Sequence, residues 1–321
     1  MELDKKKEVK ADMMLMVITL CWGLSYYFMD ICLEEMGAFT LNSYRFLGAF
    51  AVALILSYKK FRNVSRDTLL ASIAVGATLV VVYAGATFGV QYTTLSNTAF
   101  LCSTTVVATP IMEFIFFRKV ASKKILLAVG VCMVGIMLLT LKEDFSLNMS
   151  HLKGDLFSLS AGSCYALDII VVDKAVRKET VDPYQMGVLG LGVTGAIMLI
   201  LSLIFEGPVL PQTAGIWAAV IFLSLFCTGL AFILQPIAQQ YTEPSHVGII
   251  YSLEPVFAGI TAFILAGEVL TARGYLGEVL MIASVFIMEI DFGGLIQKHK
   301  KIGQDAGVKE LLEDEDHLPR P

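Results

Sequence analysis

Ten stretches of about 20 mostly apolar residues fill this chain, at 12–31, 40–58, 68–90, 94–117, 124–141, 154–173, 184–205, 214–239, 245–266 and 274–292. A helix needs about 20 such residues to cross a bilayer core. Most connections are too short to hold a soluble domain. The pattern predicts an all-α polytopic membrane protein with ten transmembrane helices. The first run could be mistaken for a signal peptide. It continues too far and has no small-residue cleavage site, so it is read as the first span.

Lysine and arginine placement gives the direction of each span. With the N-terminus inside, 20 of the 24 basic residues fall on the cytoplasmic side, including Lys59, Lys60, Arg62, Arg66, Arg118, Lys119, Lys123 and Lys124. Only Lys142, Lys153 and Arg273 fall outside, and Arg45 lies within a span. The bias predicts an even number of spans with both termini cytoplasmic. Short loops, the lack of organelle targeting and a minimal tail are compatible with a bacterial inner (plasma) membrane.

The segment Gln91–Ser103, QYTTLSNTAFLCS, returns 149 residues later as Gln240–Ser252, QYTEPSHVGIIYS, with five of thirteen positions identical. The turn after the first copy is the basic RKVASKK, whereas the turn after the second is GEVLTAR. A duplicated unit of five spans enters the membrane from the opposite side the second time. The expected division is a cytoplasmic N-terminus over 1–11, five-helix inverted-topology repeats over 12–146 and 147–292, and a hydrophilic cytoplasmic tail over 293–321. Such repeats place a cavity near the midplane.

Composition agrees. The chain of 321 residues is 56% hydrophobic and 17% charged, with a mean hydropathy of +0.71. The formal charge of −5 owes much to the acidic tail and indicates no nucleic-acid partner. The six cysteines have no metal-ligand spacing and are read as free thiols.

Thr228–Val285, with its Ser-Leu-Glu-Pro-Val-Phe run followed by Gly-Glu, resembles the C-terminal half of EamA-type transporters of the drug/metabolite transporter superfamily. CWGLSYYFMD (Cys21–Asp30) with NSYRFLGA (Asn42–Ala49) resembles the opening helix pair of that family. The resemblance covers about 15–292 and implies a ten-helix transporter exporting amino acids, related metabolites or drugs. The acidic Glu-Pro pair occurs only in the second half, so roles are not carried from one half to the other.

A charge in the hydrocarbon zone costs about 2.5–3.5 kcal/mol on insertion scales and needs a partner or a wet cavity. Glu254, with Pro255 behind it, is the deepest such group. It is a candidate for ion coupling or for an interhelical hydrogen bond at a kink. Arg45 either meets a solute carboxylate bidentately or snorkels outward to Asp30, Glu34 or Glu35. Glu113 and Asp168 are further coupling candidates, with Arg118 or Lys119 and Lys174 as their alternative partners. Trp22, Tyr26, Tyr83, Asn97, Tyr165, Gln235 and Tyr251 complete the expected cavity set with Arg45 and Glu254. Pro110 and Pro255 are the expected kinks. His246 is read as a cap or packing residue, and the Gly85–Gly89 pair as a close helix contact.

No GxxxxGK[ST] loop, HExxH helix or nucleophile–base pairing occurs, which disfavours an ATP-driven pump and an enzyme. No cofactor or metal is implied. The favoured function is secondary transport, most simply export, of amino acids or related small metabolites by alternating access. A nucleotide-sugar or phosphorylated-metabolite exchanger would need several buried basic residues, and a receptor or scaffold leaves the repeat unexplained. The implied partners are a small-molecule solute, a proton moved with or against it, and the bilayer. Monomer and homodimer both stay open. In a background without the native cysteines, Ser146→Cys should react with an impermeant thiol reagent only from outside, and Gln304→Cys only from inside. Labelling of both from one face would overturn the ten-span topology.

Overall fold

The protein was analysed as a computed structural model that describes residues 2–93, 98, 101–140, 152–261, 264 and 272–289. Among these residues there are helices and turns and no strand. The helices are α1 (Glu2–Leu33), α2 (Ala38–Ser57), α3 (Arg66–Tyr92), α4 (Thr105–Phe117), α5 (Lys123–Thr140), α6 (Leu152–Val176) and α7 (Pro183–Phe205). They continue with α8 (Ala214–Ala238), α9 (Pro244–Tyr251), α10 (Glu254–Thr261) and α11 (Ala272–Glu289). Six of the described helices, α1, α2, α3, α6, α7 and α8, are long and apolar enough to cross a membrane.

Burial runs opposite to that of a water-soluble protein. Leu56, Leu127, Leu203 and Phe286 stand exposed on the outside, while Arg45, Asp168 and Gln235 are buried within. Lipid accepts the outer side chains, and the buried polar groups find partners inside. The molecule is an integral membrane protein. All six cysteines are free thiols.

Helix starts follow local chemistry. Ser65 accepts from the Thr68 amide at the head of α3, and Asp182 and Thr213 do the same for Gln185 and Ile216 at the heads of α7 and α8. These are ordinary N-caps, with Pro183 at the first turn of α7. The head of α2 is capped from another helix. The Glu206 carboxylate, just past the end of α7, accepts from the amides of Phe39 at 2.9 Å and Thr40 at 2.8 Å. At the other end of the same pair, Gln185 Nε2 donates to the carbonyls of Lys60 and Asn63 beyond α2. The antiparallel α2 and α7 are thereby tied at both ends.

The loops fall at two ends of the bundle. At one end Lys7 lies over the Tyr241 ring, Lys60 over Tyr184, Ser65 donates to the Thr180 carbonyl and Lys119 pairs with Glu243. At the other, Glu206 caps α2, Glu35 accepts from the Gln212 amide, and Thr93 donates to Asp155.

Spans expected as single helices over 94–117 and 245–266 are interrupted. The first breaks at Ser103–Thr104 and the second at Ser252–Leu253. The two breaks are the same turn. Thr104 donates its amide to the Leu101 carbonyl, Val107 to Thr104 and Ala108 to Thr104. The offset of 149 residues that relates the two segments gives Leu253 to Ile250, Val256 to Leu253 and Phe257 to Leu253, and all three bonds are present. Tight three-residue bonds keep the backbone satisfied where the helix axis is lost. Pro255 sits in the first turn of α10, where its missing amide costs least. Pro110, the other expected kink, lies inside α4, which continues on both sides of it.

Neighbouring helices meet at small residues. Chief among the packed pairs are α3 with α6, α1 with α8, α2 with α7, and α5 with α11. A Cβ on Gly85 would sit 2.7 Å from the Phe157 carbonyl oxygen, and one on Gly89 would strike Ser158. The GxxxG pair of α3 is therefore its contact with α6. A Cβ on Gly130 would meet nothing within 4 Å. Gly85→Leu should lower thermal stability in detergent by an amount in the overpacking range of about 1–3 kcal/mol or above, whereas Gly130→Leu should leave the melting temperature unchanged. Equal effects would contradict this packing.

Candidate functional site

Between the helices lies a cavity with about 70 Å³ open to the centres of water-sized molecules, which is space for several waters or a small solute. Trp22, Ser25, Tyr26 and Met29 enter it from one face of α1, spaced by single helical turns. Arg45 enters from α2, Tyr83 from α3, Tyr165 from α6 and Phe232 from α8. The two helix breaks close the remaining wall. Cys102, Ser103 and Thr105 come from the first, and Tyr251, Ser252 and Glu254 from the second. These are the same three positions of the duplicated segment, 149 residues apart.

An aromatic cluster forms much of the wall. Trp22 packs with its ring centre 4.8 Å from Tyr251, 5.5 Å from Tyr165 and 5.7 Å from Phe232. Tyr165 and Tyr251 stack at 5.7 Å. The Trp22 indole donates to the Cys227 carbonyl at 2.9 Å. That carbonyl lies in a π-helical stretch of α8, Leu223–Leu230, whose wider turn lets side chains reach its backbone groups. Next to Trp22, Gly23 lets α10 pack closely against α1, since a Cβ there would strike Phe257 and the Ala258 amide.

The same π-helical stretch fixes Arg45. Its Nε donates to Thr228 Oγ1 at 2.8 Å, and Ser224 Oγ donates to the Arg45 carbonyl at 2.8 Å. The guanidinium lies over the Tyr83 ring, 4.8 Å from its centre. With 1% of its surface exposed, Arg45 is turned inward. The outward alternative is corrected: no ion pair joins it to Asp30, Glu34 or Glu35 among the described residues, and Glu35 is held by the Gln212 amide. A hydroxyl and a ring face hold the cation inside, and an exposed ion pair in their place would add little.

Glu254 lines the same cavity, with the Tyr26 phenol beside its carboxyl. Asp168 lies outside the cavity lining and is fully buried. It accepts from Thr78 Oγ1 at 2.6 Å and from Gln235 Nε2 at 3.3 Å. Lys174, the partner expected from sequence, is exposed and is not in this network. Gln235 in turn accepts from the Tyr165 hydroxyl at 3.1 Å, so a chain of hydrogen bonds runs from the cavity wall to Asp168. Asn97 lies outside the described residues.

Glu113 is elsewhere, at the end of the bundle where the basic loops gather. It accepts a short hydrogen bond from Ser245 and lies 3.6 Å from Lys119, which pairs with Glu243 at 2.8 Å. Burial works against the Lys119 charge. The hydrogen bond from Lys119 to Glu243 and the charges of Glu243 and Glu113 outweigh it and hold the ammonium above its ordinary range. This cluster joins α4 to α9, the helices that follow and precede the two breaks. Half-exposed pairs of this kind add little stability, so they can open without great cost. His246 is half-buried beside the cluster.

The sequence signature of the EamA-like transporter family matches this chain twice, over residues 9–141 and again over 152–290. The chain belongs to the EamA-like transporter family. An uncharacterized transporter of Archaeoglobus fulgidus is 25% identical over 289 residues, covering 88% of this chain and 87% of that one. The uncharacterized transporter YetK of Bacillus subtilis is 24% identical over 297 residues, covering 89% and 88%. A crystal structure of a protein, 12% identical, superposes with a TM-score of 0.74 over 88% of this chain and 96% of that one, and shares the fold.

Several residues in or behind the cavity wall of this EamA-like transporter were not singled out from sequence. Thr228 and Cys227 became visible only through the π-helical turn. Ser103 and Ser252 had a signal, since they are among the five identities between the duplicated segments, and each marks the break itself. Thr228→Val should remove the hydroxyl that accepts from Arg45 and lower stability by about 1.5–3 kcal/mol, the range for a hydrogen bond to a charged group. Thr228→Ser should restore it. Equal melting temperatures for the Val and Ser variants would show that this bond holds nothing.

Proposed function

We propose that this protein is a secondary transporter that moves amino acids or related small metabolites, most simply outward, by alternating access to the cavity between its halves. The observation that carries this is the pair of breaks. Two interrupted helices place the same three positions of a duplicated segment, 102, 103 and 105 with 251, 252 and 254, around one cavity. Discontinuous helices at corresponding places in two repeats are the usual construction of a transporter's binding site.

The proposed frame is ten spans in two inverted five-helix repeats divided near 146, with α4 following its break as part of the fourth span and α9–α10 forming the ninth. The double family match supports the duplication. The packing supports it too, because exchanging the halves turns the α3–α6 contact into the α8–α1 contact and maps α2–α7 and α5–α11 onto themselves. The gathering of Lys7, Lys60, Lys119 and Arg177 at one end supports both termini facing the cytoplasm of a bacterial plasma membrane. In this scheme the Glu113–Lys119–Glu243 cluster closes the cytoplasmic side, and Glu254 carries the coupling ion, with Asp168 behind it.

Reconstitution in liposomes tests the proposal. Labelled amino acids should enter with saturable kinetics, and an imposed pH gradient should raise the rate. Glu254→Gln should lower the gradient-driven component at least tenfold. Gradient-driven uptake equal to that of the parent protein would remove Glu254 from coupling. A folded protein that moves no amino acid would overturn the substrate assignment.

A further inference from the structure

We infer that the cavity selects solutes bearing both an anionic and a cationic end, with Arg45 holding the first and Glu254 the second. This rests on the cavity being the transport site. Both groups line the same space, yet no ion pair joins them among the described residues.

Arg45 presents the open edge. Nε is used by Thr228 and one face of the guanidinium by Tyr83. Nη1 has only the thioether of Met29, at 3.9 Å, and Nη2 is buried with no partner. Arginine keeps its charge at any pH a cell provides. The fork formed by Nη1 and Nη2 matches the two oxygens of a carboxylate, and none is supplied by the described residues. Asn42 does not fill the gap: its Oδ1, like Nη2 of Arg45, is buried with no hydrogen-bond partner, while its Nδ2 donates to the Ala38 carbonyl and Thr87.

Glu254 supplies the opposite pole. It has no ion-pair partner among the described residues, and the Tyr26 phenol stands beside its carboxyl. The cavity lining also includes Trp22, Val82, Tyr83, Ala86 and Phe232, which suit an apolar body. A solute with one charge leaves the other pole buried and unanswered, and that penalty is what discriminates. The poles also come from different halves. Helix α7, which corresponds to α2, contains no lysine or arginine, and the residue corresponding to Glu254 is Thr105.

Trp22 is the reporter for a test. The chain has two tryptophans, so Trp217→Phe leaves Trp22 alone in the cavity wall. In that background, detergent-purified protein is titrated with phenylalanine, phenethylamine and hydrocinnamate, and then with alanine, ethylamine and propanoate. In at least one series the zwitterion should saturate the change in Trp22 emission at a concentration at least tenfold below either singly charged analogue. Arg45→Gln should erase its advantage over the amine, and Glu254→Gln its advantage over the acid. Arg45→Lys, which keeps a cation if the Gln variant does not fold, should retain part of the first advantage. Equal binding of a singly charged analogue, or an unchanged preference in Arg45→Gln, would overturn the assignment of poles and leave the cavity as a solute site. Silence of Trp22 to all six probes would overturn both.

Discussion

A backbone group left open within a bilayer has to be answered by the protein, because lipid offers no hydrogen bond. Everything at the centre of this molecule follows from that constraint. Two helices stop and restart at Ser103–Thr104 and Ser252–Leu253, and each is affordable only where other helices surround it. Tight turns answer the amides at both breaks. The long helices α1, α2, α3, α6 and α8 shield them from lipid and supply the rest of the cavity wall. A continuous helix would fill this space with side chains at regular spacing. An interrupted one turns its Ser, Thr, Tyr and Glu side chains toward a common point.

The second irregularity, the π-helical stretch of α8, has the same logic. It brings a carbonyl and a hydroxyl to the two residues that most need fixed positions, Trp22 and Arg45. Arg45 is thereby held from one side and left open on the other. A cation tied at every donor would be a structural rivet, and one tied at none would swing out to water. The partial restraint is what a recognition group requires. Asp168 shows the contrasting case. Thr78 and Gln235 take both of its oxygens, and among the described residues the Gln235–Tyr165 chain links it to the cavity.

Hydropathy located the long helices well. The span read at 68–90 is Arg66–Tyr92, and that at 184–205 is Pro183–Phe205. It could not see the breaks, because Ser103 and Ser252 each stand inside a long, mostly apolar run. The identities between the two segments marked both serines, but as signs of duplication rather than of chain geometry. The aromatic set of Trp22, Tyr26, Tyr83, Tyr165 and Tyr251 was legible, since rings with polar tips inside spans have few other uses. Partner choice was not. Arg45 stands near Asp30, Glu34 and Glu35 in sequence, and Asp168 near Lys174, yet both found partners on other helices. Nearness along a helix competes with a bundle that brings distant residues closer.

The two halves share a construction and differ in chemistry at the point where it matters. The three cavity positions of the first break are Cys102, Ser103 and Thr105, and those of the second are Tyr251, Ser252 and Glu254. The serine is kept where the chain must turn, which is a geometric need common to both. The other two positions have diverged, from thiol to phenol and from hydroxyl to carboxyl. Arg45 is likewise present in α2 and has no basic counterpart in α7. A strictly symmetric pair would offer a solute the same contacts from either face and could distinguish the orientations of neither. Placing the cation in one half and the acid in the other gives the cavity a fixed polarity across the proposed symmetry axis. In the proposed cycle a solute bound along that polarity would contact each half through a different charge, so rocking of one half against the other would need to release only one end at a time.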